Sequence, residues 1–263
     1  PCFNSGEYIN DCLSSILNTG FSNAEIIIVD DGSTDQKTLK LLDSLDKNIK
    51  VIRQINKGPA GARNTGVKNS NGKILLFLDS DNMIKSNYIN QALSVFENDK
   101  IGVVYGNPDF FGDKVTEIRN FSQGAFDLDK MIVGNYIDMC SFVRKKTWEE
   151  VGGFDENLFG CEDWEFWIRV GQTNWMFYHI NESLFDYRIR NDSHTTIVDS
   201  KFKLEISDYI YVIAEGKIQG EGTPEQLQAS ASPFVKQFLT GSAEGPVEYQ
   251  FSHQAYLSNE VHP

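Results

Sequence analysis

At 263 residues the chain has room for one large domain, or for one domain with an appendage. A net charge of −13 and a pI near 4.7 argue against nucleic acid as a partner, and an anionic substrate would have to be held by a metal or by local Arg and Lys. Cys2, Cys12, Cys140 and Cys161 form no CxxC pair, and no apolar run approaches the ~20 residues of a membrane helix, so the sequence reads as cytoplasmic, with room for peripheral docking at the inner membrane face.

The chain opens on PCFN, after which Tyr8, Ile9, Cys12, Leu13, Ile16 and Leu17 recur at helical spacing as far as Gly20. Ala24 to Asp30, AEIIIVD, is a buried strand that runs into Asp31, Gly32, Ser33, Thr34 and Asp35. That cluster is either a tight turn with a helix cap or a ligand-facing strand end, where Asp30 or Asp31 accepts hydrogen bonds from a nucleobase or ribose. A helix with Leu39, Leu41, Leu42 and Leu45 and a strand over Lys50 to Gln54 follow. Asn56 to Val67, NKGPAGARNTGV, sets Arg63 in a flexible stretch whose Gly58, Gly61 and Gly66 would let the backbone approach a ligand closely. Neither GxxxxGK[ST] nor GxGxxG occurs there, so P-loop and dinucleotide chemistry are not indicated.

Lys73 to Asn82, KILLFLDSDN, organises the rest. Ile74 to Asp79 is too short for an amphipathic helix and suits a strand buried on both faces. Asp79, Ser80 and Asp81 then sit where the strand leaves the sheet, on the side where open α/β sheets bind ligands. Two carboxylates flanking a small residue can share Mg²⁺ or Mn²⁺ with substrate phosphate oxygens; the plainer alternative is a solvated turn capping the next helix. A helix over Ser86 to Glu97 and a strand over Ile101 to Gly106 continue the alternation, which indicates an α/β domain with a mostly parallel sheet and helices on both faces. Asn107 to Val133 breaks the rhythm and reads as a sheet insertion or a mobile loop.

Ile137 to Arg144 reads as a strand and Lys145 to Val151 as a short helix. GGFDENLFGCEDWEFWIRVG then puts Glu162 and Asp163 at the front of a helix whose Phe166, Trp167, Ile168 and Val170 read as core. The two carboxylates either favour the helix dipole or do chemistry. Strands over Trp175 to His179 and Ser183 to Ile189 lead to RNDSHTT, where His194 reads first as a surface histidine.

Taken in this order, PCFN, IIIVDDGSTD, NKGPAGARNTGV with FLDSDN, and GGFDENLFGCEDWEFWIR resemble family 2 glycosyltransferases, the inverting nucleotide-sugar enzymes of GT-A (Rossmann-like) fold, over about residues 1–200. The resemblance implies that Asp31, with Asp30 beside it and Pro1 nearby, meets the nucleoside, and that Arg63 stands near the phosphates. Asp79 and Asp81 would form the DxD motif, with Asp81 the principal ligand of Mn²⁺ or Mg²⁺. Asp163, paired with Glu162, matches the catalytic base. A late family histidine that can join the metal shell falls near His194, although the family's YRxH reads YRIR here, with Arg190 in the histidine's place. A UDP-sugar donor and a saccharide or lipid-linked acceptor are further implications. So is the loss of an apolar first strand ending at Pro1, which would leave a gap in the core that Tyr209 to Ile213 could fill.

From about Glu205 the composition changes: Arg disappears and acidic residues dominate, which marks a second segment, 205–263, joined near Ser200 to Glu205. YIYVI and KIQG read as a hairpin, Thr223 and Pro224 as a helix start, and Phe234, Val235, Phe238 and Leu239 as a second helix. This hairpin-and-helix appendage is either a subdomain of the transferase or, as ISDYIYVIAEGKIQGEGTPEQLQASASPFVKQFLTG suggests by resemblance, the end of an ABC-transporter ATPase subunit, and GPVEYQFSHQAYL is similar to the ATPase of the bacterial lipid-asymmetry transporter. Walker A and LSGGQ-type motifs are absent, so the resemblance implies contacts with an ABC transporter subunit without hydrolysis. A non-catalytic module whose tail docks to such an assembly is therefore the alternative to an enzyme.

Overall fold

Two apolar stretches build a small parallel sheet at the start of the chain. Ile26–Asp30 (β1) pairs in parallel with Ile49–Arg53 (β2). Against them pack Ile9–Leu17 (α1) and Gln36–Asp43 (α2), through Ile9, Leu13, Ile28 and Leu42. Asp35 caps α2 by accepting from the Thr38 amide at 2.8 Å. The computed structural model describes residues 1–112, 124–158, 160–190, 210–214, 217–222, 226–227, 229–233 and 235–236, which fall into two compact units, Pro1–Ser193 and His194–Pro263.

The glycine-rich stretch after β2 is a helix, Gly58–Lys68 (α3), and not a flexible loop. Pro59 suits its first turn, and Ala60, Ala62 and Val67 are buried, so packing overrides the low helix propensity of glycine. A Cβ on Gly66 would stand 3.6 Å from Val29 Cγ2, ordinary van der Waals contact, so this face of α3 lies against β1 without needing glycine for clearance.

The main sheet has the order β3–β6–β5–β7–β4, with β3 at Ile74–Leu76, β4 at Met83–Ile84, β5 at Ile101–Gly112, β6 at Phe142–Arg144 and β7 at Met176–Ile189. It is mixed and not mostly parallel: β6 runs antiparallel to both β3 and β5, β4 runs antiparallel to β7, and only β5 and β7 are parallel. Regular pairing in β3 stops at Leu76, short of Asp79, after which the Phe77 amide donates to the Ser141 carbonyl. The two strands expected over Trp175 to Ile189 are one strand, because register shifts around Gly106 to Pro108 let β5 follow it past Asn181 and Glu182. β5 thus runs beyond its expected end into the stretch that had lost rhythm; residues 113–123 lie outside the described residues.

Alternation along β5 puts helices on both faces. Val103 and Tyr105 pack with Met131 of α5 (Leu128–Val133), Trp148 of α6 (Lys145–Glu150), and Phe166, Trp167 and Val170 of α7 (Glu162–Gly171). Val104 faces the other way, onto Tyr88, Ile89 and Ala92 of α4 (Tyr88–Val95). The aromatics of α7 are core, as expected.

β1 and β3 are not hydrogen-bonded to each other; β1 is met on its free edge by Cys2, whose amide donates to the Val29 carbonyl at 2.8 Å and whose carbonyl accepts from the Asp31 amide at 2.8 Å. Between the two sheets lies a cleft of about 820 Å³, with Ile28, Val67 and Leu75 among its apolar walls. In the second unit, Ile210–Ala214 (β8) and Lys217–Gly222 (β9) form an antiparallel two-stranded sheet of their own, so β8 is not hydrogen-bonded into either larger sheet. Leu227 and Val235 are buried together, while Tyr209, Thr223, Pro224, Phe234, Phe238 and Leu239 lie outside the described residues. Among the described residues no helix is long and apolar enough to cross a membrane.

Candidate active site

At the end of β1 the two aspartates close the turn on themselves. Asp30 is buried, its Oδ1 accepts from the Ser33 amide at 2.9 Å, and its Oδ2 lies 3.6 Å from Arg53 Nε. Asp30 is thereby used up inside the turn, which favours the structural alternative for it. Asp31 Oδ1 accepts from Gln54 Nε2 at 2.7 Å and from the Lys57 amide at 2.9 Å, tying the ends of β1 and β2 to the start of α3. Pro1 lines the cleft beside this turn.

Arg63, on α3, is buried and joins two chain segments that are far apart in sequence. Its Nη2 donates to Asp79 Oδ1 at 2.8 Å and its Nη1 to Glu162 Oε1 at 2.5 Å. Burial works against the guanidinium's charge, but Asp79 and Glu162 outweigh it and raise its pKa. Among the described residues Arg63 Nε has no hydrogen-bond partner. This residue, expected near phosphates, is a bolt between the end of β3 and the start of α7, and Glu162 is the other end of the bolt.

Asp81 belongs to a different pair. Its Oδ2 lies 3.2 Å from Arg190 Nε, and its carbonyl accepts from Arg188 Nε at 3.0 Å. Both guanidinium groups stand 4.8 Å from the centre of the Tyr8 ring. Arg188 is fixed further by Asp11 Oδ2 at 3.1 Å, and its amide donates to the buried Asn82. Burial, then the charge of Asp79, push the Asp81 carboxyl up to about 6 even though Arg190 pulls it down. His194 lies outside the described residues.

The Glu-Asp pair splits at the head of α7. Cys161, just before it, is left-handed at φ 58°, an unusual conformation for a residue with a side chain, and the two carboxylates that follow diverge. Glu162 turns to Arg63, whereas Asp163 Oδ2 accepts from Asn135 Nδ2 at 2.9 Å and its Oδ1 from the Trp164 amide at 2.8 Å. Burial, then the neighbouring Glu162, push Asp163 up to about 6. A third carboxylate, Asp138, accepts from the Cys140 amide at 2.8 Å and is pushed up to about 7 by burial and then by the charge of Asp79. Its only signal was an aspartate inside the apolar run from Ile137 to Val143; Asn135 and Tyr8 had none.

Arg63, Asp79, Asp138, Glu162 and Asp163 thus form one electrostatically coupled cluster, with Asp81 next to Asp79. Asp31 closes the neighbouring strand end. Among the described residues no three His, Cys, Asp or Glu side chains gather as an ion cage. Asp79 and Asp81 do offer hard oxygen donors, the kind that Mg²⁺ and Mn²⁺ take, so the residues present fit a divalent ion whose shell other oxygens would complete.

The fold is of the GT-A kind: the first unit's α/β architecture matches crystal structures of S. aureus TarS, with a TM-score of 0.62 and 22% identity for its complex with UDP-GlcNAc, over 74% of this chain and 59% of that one. Its complex with UDP gives a TM-score of 0.60 at 21% identity, over 92% and 71%. The model of glycosyl transferase family 2 matches residues 1–182, and the chain belongs to that family. Relatives include an uncharacterized glycosyltransferase of Rickettsia bellii, 28% identical over 80% of this chain and 31% of its own length, and glycosyltransferase GlyA of Streptococcus pneumoniae, 27% identical over 79% and 32%. The chain spans about a third of the length of these two. It is also 27% identical, over 66% of its length and 68% of the relative's, to the Escherichia coli protein named UDP-Glc:alpha-D-GlcNAc-diphosphoundecaprenol beta-1,3-glucosyltransferase WfgD.

Proposed function

We propose that the chain transfers a sugar from a nucleoside diphosphate sugar, a UDP-sugar in the first instance, to a hydroxyl of a saccharide or lipid-linked acceptor, with inversion. The observation that carries this reading is the Asp79–Arg63–Glu162 bridge, which holds the DxD segment at a fixed distance from Asp163. Asp163 takes the proton of the attacking hydroxyl, the new bond forms to the anomeric carbon, and the bond to the diphosphate breaks on the opposite face, releasing UDP. A carboxylate pushed up to about 6 is still ionised at neutral pH and is a better base than an exposed one. Glu162 and Arg63 are positioning residues: they keep two carboxylates together without meeting substrate. Asp31, with Pro1 beside it, lies towards the nucleoside. A divalent ion held by Asp81 and Asp79 would neutralise charge on the departing diphosphate. The names of WfgD and of the TarS complexes support a uridine nucleotide.

Asp163→Asn is expected to lower kcat roughly 10²- to 10⁴-fold while leaving UDP affinity unchanged. Asp81→Ala is expected to remove the part of UDP binding that depends on Mn²⁺. Loss of UDP affinity in the Asp163 variant, measured by calorimetry, would count against its role as base. The ABC-docking alternative draws nothing from the relatives, and the family match ends before the tail.

A further inference from the structure

Arg190 stands where the family pattern has a histidine, and its chemistry is opposite: a histidine can donate a lone pair to a metal, a guanidinium cannot. Its Nε is 3.2 Å from Asp81 Oδ2, so a monovalent cation already occupies the carboxylate that the donor-site reading gives to a divalent one. Arg190 and Asp81 are each mostly buried, with side chains 18% and 19% exposed, which makes the contact stronger than a surface ion pair. The two arginines around Tyr8 are not equivalent. Arg188 meets Asp11 and the Asp81 carbonyl, whereas Arg190 meets the Asp81 carboxylate itself. A divalent ion that takes the Asp81 oxygen competes with this pair and finds a guanidinium beside whatever anion arrives with it.

We propose that Arg190 is the resident counter-ion of the donor site: it competes with the divalent ion for Asp81 and, once displaced, binds the diphosphate of the nucleotide sugar. The inference rests on the donor-site reading given above. Displacement needs little travel, since the Tyr8 ring provides a face over which the guanidinium can turn. In the nucleotide-free protein Arg190 opposes the metal; in the ternary complex it helps hold the nucleotide. Removing it should then move two affinities in opposite directions.

The test measures Mn²⁺ binding to the nucleotide-free protein by electron paramagnetic resonance of free Mn²⁺, and UDP binding at saturating Mn²⁺ by calorimetry. Arg190→Ala is expected to tighten Mn²⁺ binding and to weaken UDP binding, each on the order of tenfold. Arg190→Lys, which keeps the charge and loses the planar stacking, should fall between wild type and the Ala variant in both. In an Asp81→Asn background, Arg190→Ala should no longer change Mn²⁺ affinity. A merely structural role would weaken both affinities together, and that result, or an Mn²⁺ affinity unmoved by Arg190→Ala, overturns the inference while leaving the donor site standing. Failure of the wild-type protein to bind UDP at all would instead remove the donor-site reading, and this inference with it.

Discussion

Asp163 and Asp138 differ from exposed carboxylates in that burial has taken their solvation away, and the same burial dictates how the protein should respond to pH. Asp163 is pushed up to about 6 and Asp138 to about 7, and the charge of Asp163 is among the causes of the shift at Asp138, so Asp138 takes up its proton first as pH falls. A base must be deprotonated to work, so kcat/KM should fall as pH drops through about 6. Asp138→Asn keeps an acceptor for the Cys140 amide and mimics the protonated form that Asp138 already has near pH 6, so it should leave the midpoint of that acid limb close to its wild-type value. A midpoint that falls clearly would mean that Asp138 is still charged while the base titrates. The sign for stability follows from the same shifts. A carboxyl whose folded pKa is raised stabilises the fold at pH values below its unfolded pKa, and that contribution is lost as pH rises through the folded value. Asp138→Asn should therefore raise Tm at pH 8 and have little effect at pH 4, which a pair of thermal melts will show.

The elements were legible where periodicity decides and illegible where packing does. α1, β1, α2, β2, α4, α6 and α7 follow from apolar spacing and caps. α3 does not, because Gly58, Gly61 and Gly66 vote against a helix that Ala60, Ala62 and Val67 hold in place by burial. The turn between α6 and α7 shows the same dependence on tertiary contact. Gly152 and Gly153 are both left-handed, at φ 82° and 81°, yet a Cβ on Gly152 would meet open space, while one on Gly153 would stand 2.8 Å from Asn64 Oδ1 and from Trp148 Cζ2. Asn64 is the clamp here, accepting from the Phe154 amide at 2.9 Å and donating to the Phe154 carbonyl at 2.8 Å, so α3 holds the turn that leads to α7. Gly152→Ala should cost about 1 kcal/mol, the backbone term alone. Gly153→Ala should cost about 2–3 kcal/mol more, because Asn64 must release its bonds, and should lower kcat by loosening α7. Equal losses in urea denaturation would show that the clamp contributes nothing.

Over the whole first unit, what could be read from the sequence were the strand ends, because DDGSTD, DSD and the Glu-Asp pair are local signals. What could not be read were the partners that only chain closure supplies. Glu162 finds Arg63 from 99 residues away, and Arg188 finds Asp11 from 177. The cleft between β1 and β3 is a feature of the same scale: it is walled by apolar side chains from both sheets, and the free edge of β1 is met by Cys2 alone among the described residues. The Cys2 bridge to Asp30 is parallel, so a segment attached ahead of Cys2 would run alongside β1 in the same direction. Each Val or Ile buried there would contribute about 1.5–3 kcal/mol, against about 1–2 kcal/mol for ordering its backbone, so a short apolar strand should stabilise the fold by a few kcal/mol. At roughly 2–4 °C per kcal/mol for a domain of this size, adding such a strand ahead of Cys2 should raise Tm by several degrees and slow amide exchange along Ile26 to Val29. A strand with Lys at alternate positions must place charge against one apolar wall and should do neither. If the charged strand stabilised the protein as well as the apolar one, the gain would come from elsewhere than the cleft.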